Sequence, residues 1–189
     1  MSQSPERGCG PCNACCEHLK IDHPELQKPA GALCGHYGRG GCGIYEHRPS
    51  VCQAFFCGWR QLDFLGEDWR PDNSGILMVT ETSDIPPGYG QGAVKFILLD
   101  LNAVFWPPLV ERIAHLVEQR LPVFLQVNDH PNQRGEKLFL SEVLRPAVAT
   151  RHYETICAAL RDTVGIAIQS LKRQALPAQP VRSAYTPFR

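Results

Sequence analysis

The chain has 189 residues and no formal net charge, because 19 lysines and arginines balance 19 aspartates and glutamates. A balanced charge disfavours binding to nucleic acid through a basic surface. No segment approaches the ~18 apolar residues of a membrane span, and the first residues lack the apolar run of a secretory signal. These features predict a cytoplasmic protein without nucleic-acid or membrane partners, in which thiols stay reduced.

The first 70 residues are dominated by cysteine, glycine and proline. Eight of the nine cysteines fall between positions 9 and 57, where hydrophobic periodicity is weak. A short helix is predicted over 49–56, with Pro49 near its first turn. Such a segment needs something besides helices and strands to order it, and bound metal provides this because ligand binding free energy becomes folding free energy. Residues 1–70 are therefore interpreted as a metal-bound lobe.

Residues 71–175 are interpreted as an α/β part packed on this lobe. The first two of its four predicted strands form a hairpin around a long glycine- and proline-rich loop. A polar loop with Asn128, Asp129 and His130 separates the last two. The strands are predicted over 75–81, 93–101, 122–127 and 136–140.

Two long helices are predicted from apolar residues at helical spacing, over 107–120 and 150–173. Ser141 is predicted to cap a short helix that Pro146 breaks. The proline-rich residues 176–189 predict a flexible tail. The order of elements indicates an α+β fold, with a loop-rich metal-bound lobe followed by a small, mostly antiparallel sheet and two helices.

Clustered cysteines indicate a metal site, a disulfide framework or a redox pair, and a reducing compartment favours the metal site. A C-x-x-C pair places two thiolates on one turn, and Cys15 adds a third. Because Cys15 and Cys16 are adjacent, their side chains diverge, so they bind different metals or one of them is not a direct ligand. The predicted metal ligands are Cys9, Cys12, Cys15, Cys16, Cys34, Cys42, Cys52 and Cys57.

Eight thiolates suit two four-cysteine zinc sites, and they also suit one or two iron–sulfur clusters. The wide, irregular gaps between the later cysteines favour a cluster, with the 4Fe–4S type preferred and Zn²⁺ as the alternative. Glycine amides around Cys42 could donate to sulfur. Nearby aromatic rings could shield a cluster from oxygen or simply pack in the lobe: Tyr37, Tyr45, Phe55, Phe56 and Trp59.

Other polar residues of the lobe have two interpretations each. Arg48 either offsets the negative charge of the thiolates or pairs with Glu46. Four histidines are either replacement ligands or exposed loop residues, and His36 and His47 are the best placed as ligands. Cys157 lies on the apolar side of the last predicted helix and is expected to be a buried packing thiol. The four histidines are His18, His23, His36 and His47.

The cysteine pattern resembles the YkgJ-type cysteine-cluster family, which is described as a zinc- or iron-chelating domain. The matching features are C-x-x-C-x-x-C-C over 9–16, then Cys34, the segment CGIYEHRPSVC over 42–52, Phe55 and Cys57. The resemblance covers about residues 9–60 and departs at Gln53, where members often carry arginine. The resemblance implies a metal-binding protein. Members of the family are mostly bacterial proteins.

The pattern leaves the use of the metal open. A redox or electron-transfer role with an unidentified protein or redox partner is the first expectation. The alternatives are a structural zinc protein that presents a partner-binding surface, and a metal-dependent group-transfer enzyme, since a related cysteine pattern occurs in flagellin lysine methylases. Whether the protein is an enzyme stays undecided, and no catalytic residue is assigned.

Overall fold

The computed structural model describes residues 7–38, 40–127 and 135–175. The predicted tail over 176–189 and the loop residues Asn128, Asp129 and His130 lie outside the described residues. The fold is mixed α/β, with a four-stranded sheet and two small two-stranded sheets. The predicted α+β class is therefore confirmed.

The N-terminal lobe contains only short elements among the described residues. Its two hairpins pair two or three residues each, and both are antiparallel. The predicted helix over 49–56 is shorter than expected and begins after Pro49. The elements are α1 (Ala14–His18), β1 (Ile21–His23), β2 (Leu26–Lys28), β3 (Tyr37–Gly38), β4 (Gly41–Cys42), α2 (Ser50–Ala54), α3 (Gly58–Gln61) and α4 (Pro71–Ser74), with 3-10 turns at Tyr45–His47 and Glu67–Trp69.

The four-stranded sheet contains β5 (Ile76–Glu81), β6 (Ala93–Leu98), β7 (Val123–Val127) and β8 (Glu136–Phe139), in that spatial order. The β5–β6 and β7–β8 pairs are antiparallel, as the predicted hairpin requires. The β6–β7 pair is parallel, because a 3-10 helix and a long helix form the crossover between them. The predicted second strand ends three residues early, since its last residue opens that 3-10 helix at Leu101–Phe105.

The helices of the second part are α5 (Pro107–Glu118), α6 (Leu140–Val143), α7 (Arg145–Ala149) and α8 (Tyr153–Ala175). Two sequence predictions about them were wrong. Pro146 does not break a helix but lies in the first turn of α7, where its missing amide costs nothing. Ser141 does not cap a helix either, because its buried hydroxyl accepts from the Val123 amide (2.8 Å) and donates to the Leu121 carbonyl (2.9 Å).

The two faces of the sheet are covered differently. One face packs on α5, α7 and α8 through the main core, to which Trp59, Leu65 and Trp69 also belong. The other face contacts the lobe through a smaller core of Ala14 with sheet residues, and Cys12, Phe55 and Cys57 pack against this smaller core. The cysteines are thereby placed beside the apolar residues of β5 and β6. The sheet residues of this smaller core are Leu77, Val79 and Ile97.

Candidate metal centre

All eight clustered cysteines line one cavity in the lobe. The cavity has a volume of about 530 Å³ and a mostly apolar wall, to which β5 contributes Leu77. Within the described ranges, no three His, Cys, Asp or Glu side chains form a group that could hold a single ion in the positions they have here. The fold nevertheless brings cysteines from both ends of the predicted stretch to a shared space.

Four cysteines form what we call the sheet-proximal set: Cys9, Cys12, Cys15 and Cys57. The Cys12 amide donates to the Cys9 carbonyl at 3.1 Å. Cys15 hydrogen-bonds to Cys16 of the other set and is also close enough to Cys9 and Cys12 to be repelled by their charges, so it lies where the two sets meet. Cys57 is similarly close to Cys9 and Cys12. Cys12 and Cys57 also pack against the smaller core, so this set is anchored by the sheet.

The other four form the sheet-distal set: Cys16, Cys34, Cys42 and Cys52. The Cys34 amide donates to the Cys16 carbonyl at 2.9 Å, and the Tyr37 amide donates to the Cys34 carbonyl at 3.0 Å. Tyr37 also pairs with Cys42 across the β3–β4 hairpin. Cys52 is close enough to the other three thiols to be repelled by their charges. The backbone thus ties three of these cysteines together, and α2 supplies the fourth.

The thiols ionise with difficulty where the wall is apolar. Burial raises the pKa of Cys12, of Cys52 and of Cys57. Cys15 and Cys16 hydrogen-bond to each other, which raises the pKa of Cys15 and lowers that of Cys16 to about 7, despite the opposing effect of burial on Cys16. A cation bound among the sulfurs would offset the cost of ionising them.

Arg60 lies beside the sheet-proximal set. Its Nη1 approaches the Cys9 Sγ at 3.8 Å as a hydrogen-bond donor, and its guanidinium lies 4.7 Å from the centre of the Phe56 ring. Its Nε is buried and has no hydrogen-bond partner in the described part of the chain. A buried unpaired donor is costly, and an anionic thiolate-ligated metal group would provide the missing acceptors. With eight thiols around one cavity, the residues present therefore fit such a group.

Lys28 is a second cation of the site and is only 6% exposed. Its Nζ donates to the carbonyls of Glu17 (2.9 Å), Pro29 (2.9 Å) and Ala32 (2.7 Å). Burial lowers the pKa of Lys28, and the nearby thiols, that of Cys34 foremost, act in the opposite direction. Lys28 therefore joins the end of α1 to the loop that leads to Cys34.

Sequence reasoning missed both cations. Arg60 follows Cys57 by three residues, so the spacing alone places it within one turn of that cysteine, and this signal could have been used. Lys28 gives no local signal, because its carbonyl partners come from both sides of the β1–β2 hairpin.

Arg48 lines the cavity on the side of the sheet-distal set. Its guanidinium lies 3.8 Å from the centre of the Tyr45 ring, and its Nε donates to the Tyr45 carbonyl at 2.9 Å. Its charge acts on Cys16 and Cys52. This position agrees with the interpretation that Arg48 offsets thiolate charge, rather than with pairing to Glu46.

The predicted aromatic shield is only partly at the site. Tyr45, Phe55 and Trp59 line the cavity, whereas Phe56 is exposed. The Tyr37 hydroxyl donates to the Pro11 carbonyl at 3.0 Å. Among the glycine amides near Cys42, that of Gly43 donates to the His36 carbonyl at 2.8 Å and not to a sulfur.

The four candidate histidines differ in position. His36 and His47 are both exposed, and His36 also lines the cavity. His18 is half-buried, and burial lowers its pKa. His23 lies 3.8 Å from Glu25. His36 is thus the histidine best placed to join the cysteines.

Cys157 is remote from the cavity and belongs to α8. It is half-buried rather than buried, and it packs against the main core. A hydrogen bond between the Tyr153 and Cys157 side chains raises the pKa of Tyr153 to about 12. The packing interpretation therefore fits this thiol, apart from its partial exposure.

Comparison with models of known protein families, with curated proteins and with solved structures finds no match for this chain. The resemblance to the YkgJ-type family thus stays a prediction based on the cysteine pattern. In the three described ranges, none of the helices combines the length and apolar character needed to cross a bilayer.

Proposed function

We propose that this protein binds iron–sulfur clusters through the eight cysteines of its lobe, in a redox or electron-transfer role. The observation that carries this proposal is that all eight thiols line one cavity of about 530 Å³. A zinc ion sits about 2.3 Å from each of its sulfurs and leaves little space between them. A cluster brings its own iron and sulfide atoms and fills more of such a cavity.

The residues around the thiols suit this chemistry. Phe55 and Trp59 form part of the wall and exclude water, and Arg60 is placed to donate to Cys9. A bound cluster accepts or releases electrons at a potential set by burial and by hydrogen bonds to its sulfurs. Arg48 and Lys28 offer positive charge to the sheet-distal sulfurs.

A structural zinc protein that presents a partner-binding surface is the second candidate. The thiols fall into two sets of four, which is the ligand number of a closed zinc site. Under this proposal the lobe is fixed by two zinc ions and the α/β part carries the partner surface.

Anaerobic purification with iron, zinc and acid-labile sulfide analysis tests both candidates. We expect a brown protein with iron and sulfide in equal amounts, whose visible absorption bleaches on reduction. The Cys52→Ser and Cys57→Ser variants should lose iron, whereas the matched control Cys157→Ser should keep it. A colourless protein with stoichiometric zinc would replace the first candidate by the second, and folded protein without either metal would refute both.

A further inference from the structure

The sheet-distal cysteines are held by protein contacts that do not involve metal. Hydrogen bonds link the Cys34 amide to the Cys16 carbonyl (2.9 Å) and the Gly31 amide to the Glu17 carbonyl (2.9 Å). The β3–β4 pairing fixes Cys42 against Tyr37. A ligand set that is already ordered loses less conformational entropy when it binds metal.

Lys28 strengthens this order from inside the lobe. All three hydrogen bonds of its ammonium go to backbone carbonyls that flank α1 and the Cys34 loop. Because these contacts use every ammonium proton, Lys28 acts on the thiols through its charge and through the loop positions that it fixes. Its charge acts on Cys16, Cys34 and Cys15.

The charges around the two sets differ. Lys28 and Arg48, both cations, act on the sheet-distal thiols. At the sheet-proximal set, Arg60 is opposed by Asp72, whose negative charge acts on Cys12. Arg70 offsets part of that charge, since its Nε lies 2.7 Å from the Asp72 Oδ1.

Glu17 is a carboxylate whose negative charge opposes the positive charge of Lys28. Its Oε2 accepts a hydrogen bond from the Asn13 side-chain amide at 3.0 Å. Its charge acts on Lys28 less strongly than the charges of the three thiols do. Four thiolates around a divalent ion leave a net charge of about −2, which nearby cations stabilise. The sheet-distal set therefore has the more favourable charges, and backbone contacts link three of its four cysteines, whereas in the sheet-proximal set they link Cys9 and Cys12.

We propose that the two cysteine sets are unequal metal sites: the sheet-distal set binds metal more tightly, and the sheet-proximal set exchanges it. Lys28 is the positioning residue that makes the difference. This order presupposes the proposed metal binding but not the identity of the metal. The sheet-proximal site is then the one at which metal supply or loss changes the state of the protein.

Stepwise removal of cadmium from the full-length protein tests which cysteine set releases its metal first. The protein is saturated with Cd²⁺ under reducing, oxygen-free conditions and treated with increasing amounts of a chelator. Accessible thiols are alkylated at each step and identified by mass spectrometry. Cys157 belongs to neither set and serves as the internal reference, because its rate of alkylation should not depend on the cadmium content.

We expect the one-cadmium species to be alkylated at Cys9, Cys12, Cys15 and Cys57, with the sheet-distal set still protected. Alkylation of the sheet-distal set first, or of both sets together, would overturn the proposal. If the protein retains no Cd²⁺ at all, the proposed metal-binding function itself is refuted, so the two failures are distinguishable.

Lys28→Met tests the positioning role, with Lys172→Met, at an exposed lysine of α8 that does not line the cavity, as control. We expect Lys28→Met to weaken retention of the last cadmium ion by about tenfold or more. The difference in cadmium affinity between the two cysteine sets should also become smaller. Lys172→Met should leave both unchanged. Should Lys28→Met not fold, Arg48→Gln provides the same test, because Arg48 contributes charge to the same set from the cavity wall. An unchanged order in the folded variant would refute the role.

Discussion

The Arg60 side chain has a buried Nε without a partner in the described residues and an Nη1 placed 3.8 Å from Cys9. A buried donor without a partner costs free energy, which an acceptor in the cavity would offset. A metal group held by Cys9 and its neighbours would supply negative charge and sulfur acceptors beside this guanidinium. Arg60 is therefore the residue whose replacement should report most directly on the sheet-proximal site.

We predict that Arg60→Met, which keeps the length and apolar stem of the side chain, weakens metal retention at the sheet-proximal set by about tenfold. Arg60→Lys should recover part of the loss, since it restores the charge but not the guanidinium geometry. Chelator competition on the purified protein measures the effect, and the exposed Arg173 provides Arg173→Met as control. Equal retention in Arg60→Met and wild type would mean that Arg60 only packs against Phe56.

Helix α3 places the lobe against the sheet at Gly58. A Cβ atom at Gly58 would lie 3.0 Å from the Met78 Cγ and 3.1 Å from the Met78 Cβ, both closer than ordinary contacts. We therefore predict that Gly58→Ala lowers the free energy of unfolding by about 1–3 kcal/mol through overpacking. Gly90→Ala, where a Cβ meets nothing within 4 Å, should change it by less than about 0.5 kcal/mol.

A double-mutant cycle with Met78→Ala separates this clash from a general intolerance of α3. Met78→Ala alone creates a cavity in the main core, whereas the double variant gains room for the new methyl group. We expect a favourable coupling free energy of about 1 kcal/mol by urea denaturation. Strictly additive effects would show that the Gly58–Met78 contact does not limit the approach of α3 to β5.

The end of strand β5 carries a half-buried ion pair between Glu81 and Lys95. Burial acts to raise the pKa of Glu81, but the Lys95 ammonium at 2.7 Å and hydrogen bonds from Ser83 outweigh it and bring the pKa to about 2. A carboxyl whose pKa is lower in the folded protein stabilises the fold above its unfolded pKa and loses this contribution as the pH falls towards the folded value. The window here runs from about pH 4.5 down to about pH 2.

We predict that Glu81→Gln lowers the free energy of unfolding at pH 7 by about 1–3 kcal/mol and flattens its pH dependence in that window. The exposed Glu111 provides Glu111→Gln as control. Urea denaturation followed by circular dichroism between pH 2 and 7 measures both quantities. A variant with the wild-type acid dependence would assign the acid sensitivity to other carboxylates.

At the scale of the whole molecule, the second half of the chain could be predicted from its sequence, whereas the lobe could not. Strands β5 and β7 are apolar runs flanked by turns, and α5 and α8 have clear helical periodicity, so their local patterns agree with the fold. Leu160 and Val164, two of the apolar residues at helical spacing in α8, are buried in the main core. The parallel β6–β7 pairing escaped prediction because strand direction is set by the crossover, not by the residues of either strand.

The lobe escaped prediction because its order is determined by long-range contacts. Its helices have four or five residues, too few to show a period. The prediction that the adjacent Cys15 and Cys16 side chains diverge was wrong, because the two thiols hydrogen-bond to each other. The grouping of the other six cysteines depends on contacts between loops that are distant in sequence, including those of Lys28 and the β3–β4 hairpin. The spacing of the cysteines along the chain does not predict these contacts.

These differences predict how the molecule responds when metal is removed. The main core includes residues of β5–β7, α5, α7 and α8 together with Trp59, Leu65 and Trp69, and Cys57 of the sheet-proximal set packs against it. The longest regular elements of residues 9–57 are five-residue helices and three-residue strands, which are marginal without tertiary support. Metal binding to such a segment contributes directly to its folding free energy.

We therefore expect treatment with a strong chelator to lower hydrogen-exchange protection over residues 9–57, with the backbone bonds of the sheet-distal set lost last, while α8 and the four-stranded sheet keep their protection. The boundary should fall at Gly58, because Trp59 is only 4% exposed and belongs to the main core. Cys157→Ser should behave like wild type, since Cys157 lies outside both sets. Full protection over 9–57 after verified metal loss would mean that backbone contacts alone hold the lobe. Loss of protection throughout the protein would mean that the main core depends on the lobe.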